Sequence, residues 1–198
     1  MQIKFFMNRG LKVKTLILNF SGKQNNGNGE KISLYIKDKL RNKEVKIINF
    51  KDLFINSCHN CNYECFENTN KCIYINDDIL GIYNSVINSN FNIYIMPIYS
   101  DFPCSNYFVF HERSQCYFDE EKYEKFLNVK TKFIIIGNTG FSNAYSIIKN
   151  DYKNIEYDDF LQLRSNKYNA KSINGDLDTY DGIKREIDNF LNFIIKNN

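Results

Sequence analysis

The sequence predicts an α/β fold in which a parallel sheet is covered by helices on both faces. Three observations carry this expectation. Short apolar runs alternate with helix-period segments along the chain. The runs are nearly continuous in hydrophobicity, as strands buried on both faces must be. The segments that follow them are rich in Gly, Asn, Ser and Pro, the residues of tight turns.

Taken in order, Leu11 to Phe20 reads as a buried strand, with Val13, Leu16, Ile17, Leu18 and Phe20 as its apolar residues. The polar stretch Ser21 to Gly29 follows. A helix is expected from Gly29 to Arg41, because Ile32, Tyr35, Ile36 and Leu40 share one face. Val45 to Phe50 is a second strand, and residues 56–76 form a cysteine-rich loop without clear period. Asp77 and Asp78 can cap a helix carrying Ile79, Tyr83, Val86 and Ile87. Phe91 to Met96 is a third strand ending at Pro97, and Ser105 to about Phe118 reads as helix. Lys132 to Ile136 is a fourth strand, ending at Gly137-Asn-Thr-Gly140. Residues 142–168 are mixed, with a helix and a loop expected, and Ala170 to Leu177 is assigned as the fifth strand. An amphipathic helix from Tyr180 to Lys196 closes the chain with Ile183, Ile187, Phe190, Leu191, Ile194 and Ile195. No repeat or linker interrupts the pattern, so residues 11–198 form one expected domain behind an extension at residues 1–10, with Met7 an alternative start.

Composition narrows the function classes. A net charge of +3, with Lys and Arg spread along the chain, argues against nucleic acid as partner. No stretch approaches the ~20 apolar residues of a membrane span, and no signal-peptide pattern opens the chain. The expected setting is therefore the cytoplasm, where structural disulfides are uncommon. Only His59 and His111 are present, and neither accompanies a G-x-S-x-G elbow, so a hydrolase reading fails.

In parallel sheets, ligands lie beyond the carboxyl ends of the strands, which singles out residues 21–29, 97–104 and 137–141. In the first of these, Gly22, Gly27 and Gly29 allow close backbone approach, Ser21 and Asn28 offer donors, and Lys23 offers charge. The following helix start adds partial positive charge, so the segment suits a phosphate or serves as an ordinary polar turn. Neither the P-loop nor the dinucleotide fingerprint is present.

The stretch Asn19-Phe-Ser-Gly-Lys-Gln-Asn-Asn-Gly-Asn-Gly29 resembles the G-S-P-R-x-x-G-N-T loop of NAD(P)H-dependent FMN reductases, with Ser21, Lys23, Gly27 and Asn28 in register. Phe20 stands where that family usually has Gly, and Gly22 where it has Pro. Met96-Pro-Ile-Tyr99 resembles the family's s-P-x-Y segment, and Ser105 to Arg113 its S-x-x-L-K-x-F-x-D-R helix, with Phe110, Glu112 and Arg113 matching. The resemblance implies a flavodoxin-like three-layer sandwich with five parallel strands in the order 2-1-3-4-5 and FMN at the switch point. It implies that Ser21, Lys23, Gly27, Asn28 and Gly29 hold the phosphate. Pro97, Ile98, Tyr99, Ser100 and Asp101 would flank the isoalloxazine, with Asn138, Thr139 and Gly140 on its other side. It further implies a homodimer or higher homo-oligomer.

Cys58, Cys61, Cys65 and Cys72 follow a C-x2-C-x3-C-x6-C spacing that can converge on one metal centre. A [4Fe–4S] cluster, Zn²⁺ and bare thiols remain open readings. The segment Cys58 to Asp78 also resembles the iron–sulfur flavoprotein branch of the same family, which commonly has C-x2-C-x2-C. Cys104, just after the expected flavin segment, is either a redox thiol or an apolar filler, and Cys116 is taken as structural.

The leading expectation is an FMN-dependent oxidoreductase fed by NAD(P)H or a redox protein, with no side chain assigned as catalytic. The alternatives are an electron carrier without its own substrate and a non-redox zinc module.

Overall fold

The computed structural model describes residues 15–41, 43–68, 71–152 and 154–196, the side chains of 193–196 excepted. The expected extension at residues 1–10 and the first residues of the expected first strand lie outside these, as do the side chains of Ile194 and Ile195. The elements are β1 (Thr15–Asn19), α1 (Asn28–Lys39), β2 (Val45–Asn49), α2 (Ile79–Ile87), β3 (Phe91–Tyr99) and β4 (Phe102–Pro103). Then come α3 (Ser105–Glu112), α4 (Glu120–Asn128), β5 (Lys130–Gly137), α5 (Ser142–Asp151), β6 (Phe160–Arg164) and α6 (Asp181–Lys196).

Five strands pair in parallel in the order β2-β1-β3-β5-β6, and the two-residue β4 pairs antiparallel with β3. The sheet therefore has six strands where five were expected. Period-2 alternation sends neighbouring side chains to opposite faces. Leu16, Leu18, Tyr94, Met96, Phe133 and Ile135 pack with Ile82 and Tyr83 of α2, Tyr107 and Phe110 of α3, Phe126 of α4 and Ile148 of α5. On the other face, Ile17, Ile93, Ile95, Ile134 and Ile136 meet Ile32 and Ile36 of α1 and Ile183, Ile187 and Leu191 of α6. No helix among the described residues is long and apolar enough to cross a membrane.

Several boundaries differ from expectation for identifiable reasons. β3 runs through Pro97 to Tyr99. The Ile95 carbonyl accepts from Phe20 N–H on the β1 side, so by alternation Pro97 faces that same side, where β1 has already ended. The missing N–H thus costs no ladder bond. α3 stops at Glu112, and Arg113–Cys116 continue as a 3₁₀ turn rather than as helix to Phe118. α4 was not anticipated; Asp119 caps it by accepting from Lys122 N–H at 2.9 Å.

The fifth parallel strand is Phe160–Arg164, not Ala170 to Leu177. Residues 170–177 cannot extend because Gly175 sits at φ +77°, and the segment turns through Ser172–Asn174 and Leu177–Thr179 instead. Within the strand Leu163 is fully buried, whereas Ile173 is 78% exposed. Leu163→Ala should therefore lower unfolding free energy by ~2–5 kcal/mol in urea titrations, and Ile173→Ala should stay within about 0.5 kcal/mol of wild type.

Candidate functional site

Parallel pairing brings the carboxyl ends of β1, β3 and β5 to one rim. Asn19, the last residue of β1, is almost fully buried and shapes the loop that follows. Its Oδ1 accepts from Ser21 N–H at 3.1 Å, and its Nδ2 donates to Asn49 Oδ1 at 3.0 Å. A Cβ on Gly29 would lie 2.3 Å from that Oδ1, so only glycine admits the Asn19 side chain beneath the start of α1. Gly27 precedes α1 in extended conformation, and no side chain among the described residues caps the helix. The first-turn amides thus face the loop without a side-chain acceptor.

Lys23 and Asn28, two of the other expected phosphate ligands, are turned toward a segment that the sequence did not nominate. Residues 171–177 lie against the loop as a strap. Lys23 Nζ donates to Ile173 O at 2.9 Å, and Lys31 Nζ to Gly175 O at 2.7 Å. Asn28 Nδ2 donates to Ser172 O at 2.6 Å, while Asn28 Oδ1 accepts from Leu177 N–H at 3.0 Å. Ser21 Oγ accepts from Lys23 N–H at 3.3 Å. Gly22 stays exposed, with room for a Cβ 3.7 Å from Asn106 Nδ2.

The second expected segment forms a tight hairpin. Ser100 and Asp101 have φ +49° and +70°, and Tyr99 pairs with Phe102, so two left-handed residues make the turn. Asp101 points at α5 rather than outward: its Oδ2 accepts from Asn143 N–H at 3.1 Å, and its carbonyl from Ala144 N–H at 2.9 Å. Tyr99, 65% exposed, and Phe102 form the aromatic surface of the hairpin. Pro97 and Ile98 are half-buried, and Ile98 lies against Gly137, where a Cβ would come within 2.7 Å.

In the third segment, Asn138 Oδ1 accepts from Ser165 Oγ at 2.6 Å and from Ser172 N–H at 3.0 Å. Thr139 O accepts from Gln162 Nε2 at 2.6 Å. Gly140 faces open space. All three predicted segments therefore meet at one rim, and the strap ties the first to the third.

The cysteines gather elsewhere. Cys58, Cys61, Cys65 and Cys72 line a cavity of about 160 Å³, and Cys116 lines it too, brought there by the turn after α3. No group of three or more His, Cys, Asp or Glu side chains among the described residues is arranged to hold a metal ion. The expected cluster ligation is thus not formed by these side chains. Burial raises the Cys58 and Cys65 thiols above the ordinary value, and neighbouring thiols add to the effect. Cys104 is buried in the core with its Sγ 3.5 Å from Phe20 O, and burial pushes it up to about 11, which suits an inert filler.

Arg113 organises the thiol cavity from a buried position. Nη1 donates to Asp77 Oδ2 and to Asn56 O, both at 2.6 Å, and Nη2 donates to Tyr74 O at 3.2 Å. Burial opposes its charge, but the Asp77 carboxylate outweighs that and holds the guanidinium above its usual pKa. Asp77 also accepts from Ile79 N–H at 3.2 Å, whereas Asp78 accepts from Phe54 N–H at 2.8 Å. Asp77 thus serves both the helix start and the loop, where it also accepts from Asn56 N–H at 3.0 Å, while Asp78 serves the loop.

Two other hollows lie away from the rim. An open depression of about 520 Å³ sits at the amino ends of β3 and β5, beside Asn90 and Val129, the opposite rim from that expected for a ligand. A cavity of about 190 Å³ lies among Tyr83, Tyr107, Phe118, Phe126 and Tyr152.

No family model and no curated protein matches the chain by sequence. Solved structures do match. The chain is similar to RosB with bound 8-demethyl-8-formylriboflavin-5′-phosphate at TM-score 0.57 and 16% identity, over 77% of this chain and 65% of RosB. It thus spans under two thirds of that protein. It is similar to FerB, a flavoenzyme NAD(P)H:(acceptor) oxidoreductase from Paracoccus denitrificans, at TM-score 0.52 and 14% identity, over 94% of this chain and 98% of FerB. The chain therefore has a fold shared with these flavoproteins.

The Arg113–Asp77 pair is buried on both sides, each side chain 1% exposed. Arg113→Ala strands a carboxylate and should cost ~3–5 kcal/mol. Adding Asp77→Asn should return part of that loss in the same denaturation assay.

Proposed function

We propose that this chain is an FMN-binding oxidoreductase that takes hydride from NAD(P)H and passes electrons to a further acceptor. The observation that carries the reading is the rim itself: three turn segments, two of them rich in Gly and Asn, meet there beside an α1 start with no side-chain cap. The fold shared with a riboflavin-phosphate-holding protein and an NAD(P)H oxidoreductase supports it.

The residues fit the flavin, with one revision of their roles. Lys23 and Asn28 are engaged by the strap, so the phosphate is held by backbone amides of residues 22–29, that of Lys23 excepted, rather than by those two side chains. Asn28 becomes a positioning residue that fixes the loop through both ends of its amide. Tyr99 offers an exposed ring for stacking, and Gly140 leaves the opposing wall open to a planar group. Bound FMN supplies the hydride-accepting chemistry. Asp101 and Asn138 hold the two flanking segments in place. No step is assigned to an iron–sulfur cluster. The proposal includes a second copy of the chain against this rim, which the exposed Tyr99 and Phe102 favour.

Gly22→Asp places a carboxylate beside the phosphate seat without a steric clash. It should weaken FMN binding at least tenfold, about 1.4 kcal/mol, while riboflavin, which lacks the phosphate, binds as before. Fluorescence titration reads both affinities. Rapid anaerobic bleaching of the flavin by NADH or NADPH is the expected activity; slow bleaching would mark an electron carrier instead. Wild-type protein that binds no FMN would end the reading.

A further inference from the structure

We propose that Cys72 and Cys116 are an oxidisable thiol pair that closes to a disulfide on reaction with a hydroperoxide. The two residues come from separate elements, the loop after β2 and the turn after α3. One nitrogen brings them together: Arg113 Nη2 lies 3.7 Å from Cys72 Sγ and 3.8 Å from Cys116 Sγ. The guanidinium cannot drift, because Asp77, the Asn56 carbonyl and the Tyr74 carbonyl accept from Nη1 and Nη2. Both sulfurs therefore stay beside one fixed nitrogen.

Exposure separates the roles. Cys72 is half-buried at the wall of the cavity and can meet a small oxidant, whereas Cys116 is 4% exposed. The Cys116 thiol donates to the Arg113 carbonyl at 2.9 Å, which holds its sulfur on the Arg113 side of the cavity. The sulfur of Cys72 attacks the peroxide, a sulfur–oxygen bond forms and the oxygen–oxygen bond breaks, releasing an alcohol, or water from hydrogen peroxide. Cys116 then attacks the sulfenic sulfur. The sulfur–sulfur bond forms, the sulfur–oxygen bond breaks, and the hydroxide leaves as water with the Cys116 proton. Two thiols are oxidised by two electrons, and one hydroperoxide is reduced. The product would tie the cysteine loop covalently to the turn after α3.

The test uses the full reduced chain without added flavin, so its outcome is independent of the flavin reading. Limiting hydrogen peroxide should remove the mass of two hydrogens, and peptide mapping should place the bridge between Cys72 and Cys116. Cys72→Ala and Cys116→Ser should each abolish that loss, while a Cys58→Ser/Cys61→Ser protein should keep it. Cys72 is half-buried, so its variant keeps the test usable if Cys116→Ser folds poorly. A bridge elsewhere, an unchanged loss in Cys72→Ala, or wild-type protein that gains only oxygen or does not react would overturn the proposal.

Discussion

Burial of the central strands on both faces is the constraint from which the rest follows. Leu16–Leu18, Ile93–Met96 and Phe133–Ile136 are at most 3% exposed, so these strands have almost no side for a polar group to occupy. Polar chemistry is displaced to the strand ends. Because β1, β3 and β5 run parallel, their carboxyl ends open on the same rim. Each crossover must leave that rim and return to the other, which places three turns side by side without any direct attraction between them.

What joins those turns is the carboxamide. An asparagine carries a donor and an acceptor on one short side chain, so it can satisfy two backbone groups at once. Asn28 does this across to the strap, accepting from Leu177 N–H and donating to Ser172 O. Asn138 receives the strap's next free N–H, from Ser172. Asn19 works within the first loop and toward β2. These joints spend side chains of the first loop on architecture and leave the uncapped amides at the start of α1 for an incoming anion. A loop with few residues can thus be both rigid and open, which a ligand seat requires.

The legible parts of the sequence were those set by local pattern. β1, β3 and β5 announced themselves as unbroken apolar runs, and α6 as a long amphipathic stripe. β6 did not, because Phe160-Leu-Gln-Leu-Arg164 is a short edge strand in which only Phe160 and Leu163 are buried, preceded by Asp158 and Asp159. Ile173 and Leu177 drew the assignment to the neighbouring strap, although a glycine at positive φ divides them. For α4, the signal was present in Asp119-Glu-Glu-Lys, a cap followed by an acidic first turn. At the rim, topology located all three segments, but not what their side chains touch. The partners of Asn28 and Lys23 lie about 150 residues downstream, beyond any spacing rule. Cys116 shows the same limit: it stands far from the cysteine loop in sequence and beside it in space.

The buried guanidinium explains why that loop comes to α3 at all. Between Asn56 and Asp77 the chain has little regular structure and presents Tyr63 and Phe66 to solvent, so apolar burial alone gives it weak purchase. Arg113 grips both of its ends, through the Asn56 carbonyl and the Asp77 carboxylate. A charge taken out of water is tolerated when donors are matched, and here the oxygens that accept from Nη1 and Nη2, those of Asn56, Tyr74 and Asp77, all belong to the loop. The loop therefore closes around a fixed cation supplied by the turn after α3. The same closure delivers the thiols of the loop to Cys116, because the residue that pairs with Asp77 is also the one whose remaining nitrogen lies between the sulfurs. Structural anchoring and thiol proximity thus run through the same guanidinium.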